Sequence, residues 1–196
     1  CFADYDYFYP WRRTLDNKNE MDGIDSMFSL IDGMFEKLRF IEIIKNFIYI
    51  PDKSSTEEKI LCRYPQFYAT RSIFESIKER QRPLGDGKGG TYFGSTGCGK
   101  SFIMLFLTRM LMKSEHFENP TVVLITDRTQ LDSQLSKQFL KAKKYIGDAY
   151  IKSAKSRNHL REMLNKRKSG GVFLTTIHKF TEDIKLLSDR SNIICI

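Results

Sequence analysis

The sequence predicts an α/β fold: an open parallel sheet with helices on both faces, preceded by a small, mostly helical region. Residues 121–125 and 172–177 are continuous runs rich in β-branched and apolar residues, the mark of strands buried on both faces of a parallel sheet. Each ends in a polar cluster and is followed by a stretch that reads as helix. Strands and helices therefore alternate, and that order builds a parallel sheet. The third observation lies upstream. Residues 94–101 read Gly-Ser-Thr-Gly-Cys-Gly-Lys-Ser and fit G-x-x-x-x-G-K-[ST] without a mismatch, between an apolar run at 91–93 and a helical run at 102–112.

That strand–loop–helix context is what a phosphate-binding loop needs. Glycines let the backbone curl so that its N–H groups point at phosphate oxygens, helped by the positive end of the following helix. Gly94, Ser95, Thr96, Gly97, Cys98, Gly99, Lys100 and Ser101 are thus the candidate nucleotide contacts. Lys100 is expected to reach the β- and γ-phosphates, and the Ser101 hydroxyl to hold Mg²⁺. The expected ligands are ATP and Mg²⁺. Cys98 stands where such loops often carry a small residue and is read as filling that position.

The elements follow in order. Phe2, Tyr5, Tyr7, Phe8, Tyr9 and Trp11 open the chain, interleaved with Asp4 and Asp6. The acids argue against base stacking and for packing on a neighbouring domain. Residues 14–26 read as a loop. Met27, Leu30, Ile31, Met34, Phe35 and Leu38 recur at helical spacing, and 39–47 reads as a second short helix. Residues 48–50 suggest a short strand before Pro51, 51–58 a charged linker, and 59–62 another extended piece.

A helix opens near Arg63, with Pro65 in its first turn, and runs to about Arg80 on a stripe of Ala69, Ile73, Phe74 and Ile77. Gln66, near its start, offers one amide donor and one acceptor, which matches the N6 and N7 edge of adenine. The alternative is an exposed glutamine at a helix start. Residues 81–90 carry four glycines and Pro83 and read as a mobile connection. Then come a strand over 91–95, the loop, and a helix over 99–113 that is apolar nearly all round.

The strand at 121–125 ends in Thr126-Asp127-Arg128 before a helix at 129–141. Loops at the carboxyl ends of parallel strands bind ligands, so Thr126 and Arg128 are candidates to touch a nucleic-acid backbone phosphate. Residues 145–158 are mixed, and 157–168 reads as an exposed basic helix. The strand at 172–177 ends in Thr175, Thr176 and His178, a polar cluster assigned to the same phosphate contact. A catalytic role for His178 is set aside, because no nucleophile or orienting acid is paired with it in sequence. Residues 179–187 read as helix, and 193–196 begin another strand.

At 196 residues, 41% hydrophobic and 29% charged, the chain has an ordinary globular composition, enough for one sizeable domain and an appendage. No apolar run approaches the roughly 20 residues of a membrane span, and the acidic, aromatic start is no signal peptide. A chain that begins at Cys1 is expected to be a piece of something longer. Cys1, Cys62, Cys98 and Cys195 show no C-x-x-C spacing, which argues against zinc or a disulfide framework and for a reducing cytosol. The net charge of +8 is uneven: residues 128–168 hold 12 Lys/Arg against 3 Asp/Glu, and residues 1–60 hold 8 against 12. The concentrated basic segment suggests a polyanion partner; the alternative is a solvated helical face.

The linked motifs resemble the first motor domain of a superfamily 2 helicase or translocase, a RecA-like fold. Arg63-x-x-Gln66 resembles its adenine-reading Q motif, and residues 94–101 its motif I, the Walker A loop. Leu124-Ile125-Thr126-Asp127-Arg128-x-x-Leu131 resembles motif Ia, and Thr175-Thr176-Ile177-His178-Lys179-Phe180 resembles motif Ib. A narrower likeness lies upstream. Leu30-x-x-Gly33-Met34-Phe35, Arg39-Phe40, Asn46-Phe47-Ile48 and Tyr64-x-Gln66-x-x-Ala69 resemble the stretch linking nuclease and motor in the R subunit of type I restriction enzymes. Pro65 departs from that family, which more often has His there.

The resemblance implies a helical linker over residues 1–58 and a RecA-like motor domain over 59–196. A nuclease is expected before Cys1, and an Asp-Glu-x-His motif that holds Mg²⁺ just after Ile196. It implies an ATP-dependent translocase and endonuclease of double-stranded DNA, working with methylation and specificity subunits in a bacterial or archaeal cytoplasm. It adds Arg63 and Gln66 to the nucleotide contacts. Other classes remain open at this point: another superfamily 2 DNA or RNA helicase, a small-molecule kinase, or an adaptor that retains the loop without catalysis.

Overall fold

The computed structural model describes residues 9–14, 23–52, 58–127, 129–148, 150–180 and 187–196. Phe2, Tyr5, Tyr7, Phe8, Arg128 and most of the helix expected at 179–187 lie outside the described residues.

Two helices come first, α1 (Asp25–Met34) and α2 (Lys37–Asn46). The Glu36 carboxylate starts α2 by accepting the Leu38 and Arg39 backbone N–H groups at 3.1 and 2.9 Å. Those two bonds hold its pKa below the ordinary carboxylate range. The stripe read for α1 is divided by the fold. Leu30 and Met34 pack against the core, whereas Met27, Phe28, Ile31 and Phe35 are exposed, as are Leu38, Ile41 and Ile44 of α2. β1 (Ile48–Tyr49) and β2 (Ile60–Leu61) then pair antiparallel.

α3 (Tyr64–Glu79) and α4 (Lys100–Lys113) pack side by side. α4 buries Ile103, Leu105, Phe106, Leu107, Thr108 and Leu111, which is the all-round burial its composition implies. Phe47, after α2, joins the layers: its ring lies 4.8 Å from that of Phe67 in α3 and 5.4 Å from that of Phe106 in α4. The core is therefore continuous across residue 58, where the helical region was expected to divide from the rest.

The sheet has four strands: β3 (Thr121–Thr126), β4 (Ile151–Ser153), β5 (Val172–Thr176) and β6 (Ile193–Cys195). Their spatial order is β4-β5-β3-β6, and every pairing is parallel. Side chains alternate across it. Val122, Leu124, Val172 and Leu174 face α4 and Leu135 and Phe139 of α5 (Thr129–Leu140). Val123 and Phe173 face Leu160, Met163 and Leu164 of α7 (Arg157–Asn165). The short α6 (Lys143–Ile146) fills the turn before β4. Helices thus cover both faces, as the alternating pattern predicts.

Three expectations change. No strand forms over 91–95. The apolar run there is short and lies between glycines, which weaken extended pairing, and Phe93 is 93% exposed. Beside it, a cleft of about 960 Å³ opens between Ile77 of α3, Ile103 and Leu107 of α4, and Ile194 of β6. β4 forms where the sequence is mixed: it pairs with β5, and Ile151, its one apolar residue, is buried. α7 ends at Asn165, short of 168, and is amphipathic: its buried stripe covers the sheet.

Candidate functional site

The loop at 94–101 leads straight into the first turn of α4, whose first N–H groups have no acceptor within the helix. Gly97 and Gly99 both sit at φ +82°, where other residues are strained. Lys100 folds back over the loop: its Nζ donates to the Gly94 carbonyl at 2.8 Å and to the Ser95 carbonyl at 2.9 Å. Ser95, Thr96 and Gly97 are exposed. Cys98 is half-buried and lies against Tyr92. Burial and the adjacent thiol raise the pKa of the Tyr92 phenol.

Mg²⁺ fits this site on one condition. Ser101 supplies a single hydroxyl in the first turn of α4, and among the described residues no group of three or more His, Cys, Asp or Glu could hold a metal. Ser101 is thus the donor that the phosphate loop itself offers. A Mg²⁺ held there would take further ligands from substrate phosphates and water, as this ion usually does.

Gln66 is 4% exposed. Its Oε1 accepts from the Arg63 backbone N–H at 2.9 Å, and its Nε2 donates to the Cys98 carbonyl at 3.3 Å. The amide thus ties the start of α3 to the phosphate loop. Each of its two polar atoms has the capacity for one further hydrogen bond. A Cβ on Gly99 would overlap this amide. Beside it lies a cleft of about 210 Å³, bounded by Tyr9, Pro10, Arg12, Arg63, Gln66 and Cys98. The Arg63 guanidinium lies over the Tyr9 ring, 3.6 Å from its centroid.

The strand-end candidates come together at the carboxyl edge of the sheet, where β3 and β5 pair from Val122–Val172 to Thr126–Thr176. Their exposure differs. Thr126 is half-buried, and its hydroxyl donates to the Thr175 carbonyl at 3.5 Å. Thr175 and Thr176 are 1% and 3% exposed, because β5 lies between β4 and β3 and is covered on both faces. Their side chains therefore present no surface to a partner. His178 is exposed, with its Nε2 3.8 Å from an Asp127 oxygen; so open a pair contributes little. Lys179 donates to the Ala154 carbonyl at 2.6 Å and holds the ends of β4 and β5 together.

The basic segment is split by the fold. Lys143 and Lys144 precede β4 and Lys166 to Lys168 precede β5, so they lie toward the amino ends of the strands; Lys155 and Arg157 follow β4 at the carboxyl ends. Part of that charge is structural. Arg167 lies 4.5 Å from the Tyr150 ring centroid on which Lys152 also rests, and pairs with Asp148 at 3.8 Å.

Comparison with known proteins bears on the same stretch. The chain is 32% identical over 203 aligned residues to the type I restriction enzyme HindI endonuclease subunit of Haemophilus influenzae, covering 99% of the chain and 19% of that protein. It is 31% identical to the putative type I restriction enzyme MjaIXP endonuclease subunit of Methanocaldococcus jannaschii, covering 99% of the chain and 20% of the relative. A third relative, the putative MjaVIIP endonuclease subunit of the same archaeon, is 30% identical over 89% of the chain. The chain spans about a fifth of the length of the curated relatives it matches. A family model for the SWI2/SNF2 ATPase matches residues 65–196. That match opens one residue before the buried glutamine and runs through the loop and every strand of the parallel sheet, and by it the chain belongs to the SWI2/SNF2 ATPase family.

Proposed function

We propose that this chain is the nucleotide-binding part of an ATP-driven DNA translocase, in the endonuclease subunit of a type I restriction system. The observation that carries the reading is the loop: an open glycine turn at the start of α4, with Lys100 poised on two loop carbonyls. The relatives, named as type I restriction endonuclease subunits or putative ones, support the setting.

Lys100 exchanges its carbonyl partners for the β- and γ-phosphate oxygens of ATP, a move its flexible stem allows. The loop N–H groups and the positive end of α4 cradle the remaining charge. Mg²⁺, when bound, neutralises charge developing on the phosphates; Ser101 holds it there. Gln66 keeps the loop registered against α3 and reads the base with its spare donor and acceptor, beside Arg63. At the carboxyl edge of the sheet, Thr126, His178 and, by its place in the sequence, Arg128 contact the DNA backbone. Thr175 and Thr176 shape that edge from within. The domain carrying these parts is RecA-like and spans residues 59–196, with residues 1–58 as a helical linker. The described cysteines Cys62, Cys98 and Cys195 are free thiols, which fits a reducing cytoplasm. Residues 1–196 alone should hydrolyse ATP slowly; rapid turnover would contradict this assignment.

The test is calorimetric titration of Mg-ATP into the full chain and its Lys100→Ala variant. Loss of a charge-assisted contact to phosphate should weaken binding about 10- to 100-fold. Unchanged affinity would sink the site.

A further inference from the structure

Tyr92 has no part in the nucleotide-binding reading, yet it meets the phosphate loop at its first glycine. No strand forms over 91–95, so no ladder fixes this lead-in. It is tied to α3 instead: the Ser76 hydroxyl donates to the Gly89 carbonyl, and a Cβ on Gly89 would stand 2.8 Å from Ile77. Three residues on, the Tyr92 ring crosses Gly94. A Cβ on Gly94 would lie 2.9 Å from that ring, 3.0 Å from its hydroxyl oxygen and 2.7 Å from the Cys98 sulfur. Phenol and thiol therefore come together over the glycine, where any side chain would part them.

The Tyr92 hydroxyl is hydrogen-bonded to the Cys98 side chain. A neutral phenol is a good donor, and sulfur a weak acceptor. Cys98 is thus held from three directions. Its N–H donates to the Ser95 carbonyl at 3.3 Å, its carbonyl accepts from Gln66 Nε2 at 3.3 Å, and its side chain takes the phenol. It stands between Gly97 and Gly99, both at φ +82°. Glycines lose the most conformational freedom when a chain is ordered, so a turn rich in them is costly to fix at the moment a ligand arrives. A brace set beforehand removes part of that cost and raises affinity.

We infer that Tyr92 is a positioning residue for the phosphate loop: through its hydroxyl it braces the Cys98 side chain across Gly94 and keeps the loop in the shape that receives phosphates. The inference rests on the nucleotide-binding reading and goes beyond it, since it gives Cys98 a use as a hydrogen-bond acceptor besides its small size. The brace joins the loop to its own lead-in. Its contribution therefore acts on the phosphates, whatever group they carry.

The test compares binding of Mg-ATP and of inorganic tripolyphosphate to the full chain and to variants at Tyr92, Cys98 and Lys100. Tyr92 is 37% exposed, and Tyr92→Phe keeps the ring while removing only the hydroxyl, so folding should stay intact. This variant should weaken both ligands about three- to tenfold, the size of effect one neutral hydrogen bond supports. Cys98→Ala should match that loss, whereas Cys98→Ser, which keeps an acceptor, should retain binding. Tyr92→Phe combined with Cys98→Ala should bind no worse than either alone, because both remove the same contact. Unchanged or tighter binding by Tyr92→Phe, with Lys100→Ala still defective, overturns the brace and spares the phosphate loop. Losses that add in the double variant, or a loss for ATP alone, overturn it as well. A Lys100→Ala variant that binds both ligands normally removes the foundation of both readings.

Discussion

Cys62 follows β2, and its backbone N–H donates to the Phe47 carbonyl at 3.1 Å. It is 4% exposed, and burial pushes its thiol up to about 12. Burial likewise takes the Tyr49 phenol to about 12. Each group is ionised more easily in the unfolded chain, at about 8.5 for Cys and 10 for Tyr. Between those values and 12 the native state holds a proton that the unfolded state has lost. Stability is therefore intact below about pH 8.5 and falls as pH rises toward 12, by about 1.4 kcal/mol per pH unit for Cys62. Urea unfolding at a series of pH values should show this fall, and Cys62→Ala should remove its first part. A flat profile from pH 8 to 11 would contradict the burial of both groups. At this scale the phosphate loop was legible because its cradle is local: consecutive residues supply the turn, the lysine and the hydroxyl. The stack of Tyr9 on Arg63 was not, since no period or spacing links two side chains so far apart in sequence. The lone tryptophan could have drawn attention, but only packing shows that it faces Gly33.

Among the elements, α4 is the one on which the others converge. It touches α2, α3 and α6, and its Phe106 meets Phe47, Phe102 and Tyr145. Phe47 has no exposed surface and joins α2 to α3 and α4. Phe47→Ala should cost about 3–5 kcal/mol, read as an earlier midpoint in denaturant with one unfolding transition for both halves of the core. Two separate transitions would show that the helical region folds independently. The helices and the long strands were legible because their apolar residues recur at 3.6 or run unbroken. The strand expected at 91–95 failed for a reason that composition hides. Its three-residue run has the right side chains, yet strand formation needs a partner ladder, and glycines on both sides leave the backbone free to do otherwise. β4 shows the converse: a weak pattern becomes a strand because β5 offers the ladder.

For the molecule as a whole, charge and apolar surface are arranged in ways that composition cannot state. The +9 segment divides between two ends of the sheet, and the order of strands, unreadable from residue counts, makes that division. The apolar stripes of α1 and α2 were legible as helices, but which side of each would meet the core was not. Met27, Phe28, Ile31 and Phe35 on α1, and Leu38 and Ile41 on α2, are each between 42% and 74% exposed. Exposed apolar groups on this scale make a molecule adhesive. In free solution the chain should sediment faster as its concentration rises, bind a hydrophobic dye while fully folded, and elute late from a phenyl column. Ile31→Lys with Leu38→Lys should reverse all three without moving the denaturation midpoint. Concentration-independent sedimentation and no dye uptake would show that these side chains are shielded after all. The two helices thus set the colloidal habits of the protein, and its salt, concentration and choice of surface should be fixed before any ligand is added.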